Sequence, residues 1–341
     1  MKIFFLASFL SVTPFFVFSQ TIDSADIYVQ QGLREADSGR FAVAAKNYEK
    51  AIQLKQGYTE AYYQNGKVNL KMNRIYQANE NFLKAYSLNP GNEEVIKELT
   101  YLAFNNHQYQ KAIDFCLKCK KCTDADRILG ISFYYLEDYA KSTNYLEKFV
   151  SINNDKDAEA AYVLGRSYLE LENEKQAIAQ FKNAIALDPK KNKWMNELGL
   201  IYYNQEDYKN ALLYFNMASE NGFNKTNDFY ENYGFTQIYT GDSKNGIETL
   251  EKILERKPNN TELLRNMAHA LYSMKEYQSS LNYFERLLKI NEKDASALFM
   301  AGMIFQKTGE KEKGQKICDK AIELDPSLAR NRQKKEMPMG L

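Results

Sequence analysis

The sequence predicts an all-α protein, an α-solenoid of about nine stacked helix-turn-helix units. Three observations support this fold class. A pattern of small and large apolar residues returns nine times, mostly at steps of 34 or 35 residues. Each copy holds two stretches with helical spacing, joined by a short polar run. With only 6 prolines and 16 glycines among 341 residues, the chain has little material for long linkers. Such units bury their apolar faces against their neighbours and form a continuous body.

The clearest copy of the unit spans residues 158–191. Its first predicted helix carries Gly165 on the apolar face, and its second carries Ala177 and Phe181 at a spacing of four. That spacing places Ala177 and Phe181 on one side of a helix. The small residues Gly165 and Ala177 leave room for the two backbones to approach, and Phe181 fills the space beside them. Pro189 ends the second helix because proline cannot continue it.

This unit resembles the tetratricopeptide repeat, a helix-turn-helix of 34 residues with small residues at fixed positions. The resemblance implies a right-handed superhelix of helix pairs and a role in binding other proteins. It covers units one to three in residues 25–122 and units four to nine in residues 123–328. The eighth position of each unit, usually glycine in this family, is occupied in turn by Gly32, Gly66, Thr100, Gly130, Gly165, Gly199, Gly234, Ala268 and Gly302.

The first nineteen residues differ from the repeats. Lys2 precedes an almost wholly apolar run over residues 3–18, and Ser19 supplies a small residue before Gln20. This pattern is typical of a secretory signal peptide, here residues 1–19. Pro14 and the short length argue against the alternative, an uncleaved membrane anchor. We therefore expect an exported bacterial protein, in the periplasm, at the outer membrane or outside the cell. No later run is long enough to span a membrane.

At the other end, residues 329–341 form a basic tail that would cap the last repeat.

The third unit is irregular, since it is four residues shorter than the others and lacks a closing proline. It contains Cys116, Cys119 and Cys122. Thr123 and Asp126 have the spacing of a capping box, so the next helix is predicted to begin there. Cys116 and Cys119 occupy core positions, and a local disulfide involving Cys122 is an alternative in an oxidising compartment. A metal or redox site in this cluster is a third interpretation.

Charge and motifs favour a protein that binds rather than one that catalyses. The 45 basic and 44 acidic residues nearly balance, so the sequence offers no electrostatic case for nucleic acid. The sequence holds none of the phosphate-binding, nucleophile or zinc motifs of common enzymes. Its two histidines, His107 and His269, have no partner at ligand spacing, and His107 is interpreted as a turn residue. We therefore predict no enzymatic activity and no cofactor.

The resemblance also implies a binding groove. In tetratricopeptide repeats the first helices line the concave face, with positions two, five, nine, twelve and thirteen pointing inward. A chaperone-type carboxylate clamp is not supported, because Tyr101 stands where the clamp needs asparagine behind Lys97. Tyrosine and arginine are common among groove positions, as they are among binding hot spots. The candidate groove residues are Tyr63, Lys67, Lys97, Tyr101, Arg127, Tyr134, Tyr162, Arg166, Asn196, Tyr203, Tyr239, Arg265, His269 and Tyr272.

The leading functional hypothesis is a non-enzymatic scaffold that holds a peptide or protein partner of the cell envelope in this groove. Arg127, Arg166 and Arg265 would pair with acidic groups of the partner, and the tyrosines would supply apolar contact. A carbohydrate- or peptidoglycan-binding module is the alternative, because tyrosine faces also stack on sugars. A metal or redox protein using the cysteine cluster is the third hypothesis.

Overall fold

A computed structural model describes residues 23–152 and 156–329 of the chain. Over these two ranges the chain forms eighteen α-helices and one short 3-10 helix, with no β-strand. This confirms the predicted all-α class. The chain divides after Tyr145 into two compact units. The predicted signal peptide and the basic tail beyond Ala329 lie outside the described residues and stay predictions.

The helices follow one another as antiparallel pairs whose first members begin where the repeat pattern predicts. The first helices are α1 (Ser24–Asp37), α3 (Thr59–Lys71), α5 (Glu93–Asn105), α7 (Ala125–Tyr135), α9 (Ala158–Glu170), α11 (Asn192–Asn204), α13 (Asn227–Tyr239), α15 (Thr261–Ser273) and α17 (Ala295–Lys307). The second helices are α2 (Phe41–Leu54), α4 (Ile75–Leu88), α6 (Tyr109–Cys116), α8 (Tyr139–Ile152), α10 (Glu174–Leu187), α12 (Tyr208–Glu220), α14 (Ser243–Leu254), α16 (Tyr277–Ile290) and α18 (Lys311–Leu324).

Each pair turns through one residue with a left-handed backbone conformation. His107 has φ of 57° between α5 and α6, which confirms its interpretation as a turn residue. Glycine takes this conformation without steric cost, whereas other residues seldom adopt it. The nine turn residues are Gly39, Asn73, His107, Glu137, Glu172, Glu206, Gly241, Lys275 and Gly309.

The two helices of a pair approach closely because the first helix carries a small residue at the contact. A methyl group added at Gly66 would lie 2.5 Å from the Phe82 ring, and one added at Gly199 would lie 2.7 Å from the Phe215 ring. Both rings are fully buried. The small positions predicted from the repeat pattern therefore set the distance between paired helices, and the aromatic residue of the second helix fills the interior.

Tyr48 occupies this aromatic slot in the first pair but carries a hydroxyl. The residue is fully buried, and among the described residues its hydroxyl has no hydrogen-bond partner. An unsatisfied buried polar group costs about 1–3 kcal/mol. We therefore expect Tyr48→Phe to raise the free energy of unfolding by about 1 kcal/mol, measured by urea denaturation. Tyr58→Phe is the contrasting control, because the Tyr58 hydroxyl donates to Asp26 at 2.5 Å and its loss should destabilise. Destabilisation by both changes would contradict this account of Tyr48.

The third pair departs from the others at its second helix. Helix α6 has only 8 residues, and Cys119 and Cys122 form a disulfide in the turn that follows it. Cys116 is a free, buried thiol. The predicted capping box is wrong, because Asp124 rather than Thr123 precedes α7 and makes no side-chain cap. The Asp124 carboxylate accepts a hydrogen bond from the Tyr101 hydroxyl instead.

Candidate functional site

The structure places all of the predicted groove residues on first helices. Helix α3 carries Tyr63 and Lys67, α5 carries Lys97 and Tyr101, α7 carries Arg127 and Tyr134, α9 carries Tyr162 and Arg166, α11 carries Asn196 and Tyr203, α13 carries Tyr239, and α15 carries Arg265, His269 and Tyr272. Their environments differ, however, and only some of them offer surface to a partner.

In the first compact unit, Tyr63 belongs to the core rather than to a binding surface. It is 9% exposed, and its ring centroid lies 6.2 Å from that of Phe82. Burial raises the pKa of Tyr63 to about 12. Lys67 lies over the ring, with Nζ 5.3 Å from the centroid. Burial also raises the pKa of Glu98, against the opposing charges of Lys67 and Lys97. The two lysines therefore compensate a half-buried carboxylate of the chain itself.

The other first-unit candidates also contact neighbouring side chains. Tyr101 donates to Asp124, and the Arg127 guanidinium lies 5.9 Å from the Phe104 ring centroid. The ring of Tyr134 packs edge-on against Tyr135, with centroids 5.2 Å apart.

In the second compact unit, Tyr162 and Arg166 form a network between α9 and α11. The Tyr162 ring stacks on Trp194 with centroids 4.6 Å apart, and its hydroxyl donates to the Glu197 carboxylate at 3.0 Å. Arg166 Nη1 lies 3.6 Å from a Glu197 oxygen and donates to the Tyr162 hydroxyl at 3.2 Å. Burial raises the pKa of Glu197, while Arg166 and the Tyr162 hydrogen bond lower it.

Arg265 is paired in the same way with the next first helix. Its Nη2 atom lies 2.6 Å from Asp294, whose carboxylate also caps α17 by accepting from the Ala297 amide. Burial opposes ionisation of Asp294, but these hydrogen bonds outweigh it and lower its pKa. The two guanidinium groups that were predicted to pair with a partner therefore contact acidic residues of this chain, and their pairing with a partner stays a prediction. An acidic residue of the following repeat lies within reach of each guanidinium and neutralises it.

Three of the predicted residues converge on one depression in the second unit. Tyr203, Tyr239 and His269 line an open cleft of about 230 Å³ between α11, α13 and α15. Asn196 and Tyr272 lie on the same helices but outside its lining. The complete lining is Tyr203, Glu231, Asn232, Phe235, Tyr239, Asn266 and His269. We refer to this surface as the α13 cleft.

The aromatic rings of the α13 cleft are held by contacts with one another. Tyr239 stacks on Tyr208 with centroids 4.4 Å apart, and Tyr203 meets Tyr208 edge-on at 5.6 Å. Burial raises the pKa of Tyr203 to about 12, with smaller contributions from neighbouring groups that include Glu231. These tyrosines therefore stay neutral hydrogen-bonding groups at neutral pH, and their rings present fixed apolar faces.

Three polar side chains of the α13 cleft are not engaged within the described chain. Glu231, Asn232 and Asn266 make no side-chain hydrogen bond or ion pair there. Burial raises the pKa of Glu231, and the nearby carboxylates of Glu262 and Asp228 raise it further. Burial and the charge of Arg265 both lower the pKa of His269, which favours its neutral form. The cleft thus combines aromatic side chains with donors and acceptors that are not engaged within the described chain.

The sequence interpretation left out Glu231, Asn232 and Asn266. It followed the second, fifth, ninth, twelfth and thirteenth repeat positions, and Asn232 and Asn266 stand at the sixth. A signal was present nevertheless, because the same amide returns at the same position of two successive repeats, 34 residues apart. Glu231 stands at the fifth position, where the interpretation favoured basic and aromatic residues.

Two further properties bear on function. In the described part of the chain, no group of three or more potential metal-binding side chains comes together. Cys119 and Cys122 form a disulfide with each other, which agrees with the interpretation of the cysteine cluster as a local disulfide. None of the helices within residues 23–152 and 156–329 is long and apolar enough to cross a membrane.

Relatives of this chain share its repeats over parts of much longer proteins. The Protein CTR9 homolog of Arabidopsis thaliana is 24% identical over 284 residues, covering 82% of this chain and 24% of the relative. A repeat-containing protein of Methanocaldococcus jannaschii is 22% identical and covers 91% of this chain and 60% of its own length. The chain thus spans less than two thirds of either relative.

The chain is also similar to solved structures, and it matches models of one protein family. The crystal structure of YrrB, described as a TPR protein with an unusual peptide-binding site, is 21% identical with a TM-score of 0.42 and covers 56% of this chain and 98% of its own. Models of the tetratricopeptide repeat match residues 129–181, 162–222, 228–260, 262–294 and 295–328. Because these family models match more than half of the sequence, the chain belongs to the tetratricopeptide-repeat family.

Proposed function

We propose that this protein is a non-enzymatic scaffold that binds an extended segment of a partner protein in the α13 cleft. One observation carries the proposal: Glu231, Asn232 and Asn266 lack partners within the described chain and line the same depression as aromatic faces. An extended peptide brings one backbone donor and one acceptor per residue, which need partners when they are buried. An asparagine amide supplies both kinds of group.

The rings support the same function. Tyr239 is positioned by stacking on Tyr208 and Tyr203 by an edge-on contact with the same ring, so a ligand does not have to order them. Tyrosine offers a large contact area with only two rotatable side-chain torsions, which keeps the entropic cost of binding low. The depression is open to solvent along α13, as a binding site for a segment of another chain must be.

We further propose that the partner is a protein of the cell envelope, met in the periplasm or at the outer membrane. This part rests on the predicted signal peptide in residues 1–19. A carbohydrate ligand remains the competing candidate, since Tyr203 and Tyr239 also offer ring faces on which a sugar can stack. The experiment must therefore distinguish a peptide from a polysaccharide.

The test is to select binders from a random peptide library displayed on phage, using the purified chain without residues 1–19. We expect selected peptides to slow amide hydrogen exchange in α13 and α15. The double variant Asn232→Ala/Asn266→Ala should lower their affinity by roughly tenfold or more, because each amide loses hydrogen bonds to the peptide backbone. Fluorescence polarisation measures the affinity.

Asn183→Ala is the matched control, because Asn183 lies on the second helix α10 away from the cleft. Its affinity for the same peptides should equal that of the wild type. Equal binding by the cleft variant and the wild type would overturn the assignment of the site. A different result would favour a carbohydrate ligand over a peptide. In that case no peptide is selected, the wild type is retained on peptidoglycan, and the cleft variant is not.

A further inference from the structure

We propose that the α13 cleft is specific for a segment with a lysine or arginine side chain, which it places between Glu231 and the aromatic rings. This inference rests on the proposed function and adds the chemistry of the ligand. The charge it assigns to the ligand is opposite to that in the hypothesis from the sequence, in which arginines of this chain bind acidic groups of the partner.

The first argument is the uncompensated charge of the cleft. Glu231 lines the depression without an ion-pair partner in the described chain. Glu262 and Asp228 lie close enough to disfavour its ionisation further, and burial acts in the same direction. Each of these effects destabilises the ionised form of Glu231 relative to its protonated form in the free protein. A cation bound beside Glu231 would relieve the repulsion, whereas a ligand carboxylate would add to it.

The second argument is that the basic side chains of α15 beside the cleft do not offset this charge. Arg265 lies one helical turn before His269, but its guanidinium is engaged 2.6 Å from Asp294. Burial and Arg265 lower the pKa of His269, which disfavours a positive charge on its ring. The two basic side chains closest to the cleft lining on α15 therefore leave the negative charge of Glu231 available to a ligand.

The third argument is the aromatic lining. Elsewhere the chain repeatedly places a lysine over a ring, as at Lys191 and Trp194, where Nζ lies 5.4 Å from the ring centroid. Within the described chain, no such cation lies over Tyr203 or Tyr239, the two partly exposed rings of the cleft. A cation over a tyrosine face within about 6 Å is attracted by the ring's electron density. The cleft thus has both parts of a cation site, a carboxylate and ring faces, with the cation left to the ligand.

The test uses the peptides selected on the wild-type chain. We expect them to share a lysine or arginine, and we expect replacement of that lysine by norleucine to weaken binding by roughly tenfold. Glu231→Gln should cause a similar loss, and combining the two changes should cost little more than either alone. Glu231→Lys should reverse the preference and select acidic peptides. Glu285→Gln, on the second helix α16, is the matched control and should bind like the wild type.

The outcomes separate this inference from the proposed function. One outcome is that Asn232→Ala/Asn266→Ala weakens peptide binding and Glu231→Gln does not. That result would support the assignment of the site and contradict the preference for a cationic side chain. Selection of acidic or uncharged peptides by the wild type would also overturn the preference. If neither variant weakens binding, both the site and the inference are wrong. Increasing the salt concentration should lower the affinity for the lysine peptide more than the affinity for its norleucine counterpart, since salt screens the interaction between lysine and Glu231.

Discussion

Replacing Phe215 by alanine is expected to lower the free energy of unfolding by about 3–5 kcal/mol. Phe215 is fully buried in α12, beneath the close approach of that helix to Gly199. Its ring also contacts Phe229 of the next pair, with centroids 5.9 Å apart. The substitution removes these contacts and leaves a cavity that the surrounding helices can close only in part. Urea denaturation followed by circular dichroism measures the loss, and hydrogen exchange locates it to α11, α12 and α13.

Leu213→Ala is the control on the same helix, because Leu213 is 51% exposed. It should change the free energy of unfolding by about 0.5 kcal/mol or less. Phe215→Leu should fall between the two, since leucine fills the equivalent slot at position 250. Equal effects of Phe215→Ala and Leu213→Ala would contradict the view that this ring holds neighbouring pairs together.

Removing the disulfide with Cys119→Ser/Cys122→Ser should cost about 2 kcal/mol, the value that loop closure predicts for so short a loop. The bridge closes the turn in which α6 ends early, and both sulfur-bearing residues are buried against Ile96. Without it, the segment joining α6 to α7 loses its covalent constraint and opens more readily. Hydrogen exchange should therefore rise first in α6 and the start of α7.

A reducing agent provides the control for this prediction. Treatment with dithiothreitol should bring the wild type to the stability of the double serine variant and leave that variant unchanged. The remaining cysteines, Cys116 and Cys318, are buried thiols that belong to no disulfide, so reduction has no other disulfide to break. A wild type whose thermal midpoint does not respond to the reductant, although thiol titration shows full reduction, would contradict the structural role of the bridge.

The fold could be predicted largely from the sequence because its determinants are local and repeated. Gly66 and Phe82 stand at the same sequence spacing as Gly199 and Phe215. In each case the sizes of the two side chains determine how closely the paired helices approach. The turn after α6 could be predicted only in part. Thr123 and Asp126 have the capping spacing, but the Tyr101 hydroxyl and the disulfide fix this segment instead. Those contacts join residues that are distant in sequence or depend on redox chemistry.

The candidate site could be predicted less well, for a physical reason. A first-helix position indicates where a side chain begins but not which neighbour it meets. Arg166 and Arg265 were predicted to bind acidic groups of a partner. In the structure they form ion pairs with Glu197 and Asp294 of the following repeats. Glu231 differs because its neighbours Asp228 and Glu262 carry the same charge. Whether a charge is satisfied depends on contacts across repeats, and the repeat pattern alone does not specify them.

The two arginine ion pairs have a mechanical consequence for the α13 cleft. One ties α9 to α11 and the other ties α15 to the start of α17, on either side of the cleft. In the described chain no ion pair joins α11 to α13 or α13 to α15. Among the first helices, small changes in spacing should therefore concentrate at α13, which is held by packing and by the hydrogen bond from the Tyr233 hydroxyl to Asn216 of α12 rather than by an ion pair. A compliant segment between two stiffer ones would let the same cleft adjust its width to lysine in one ligand and to the broader arginine in another.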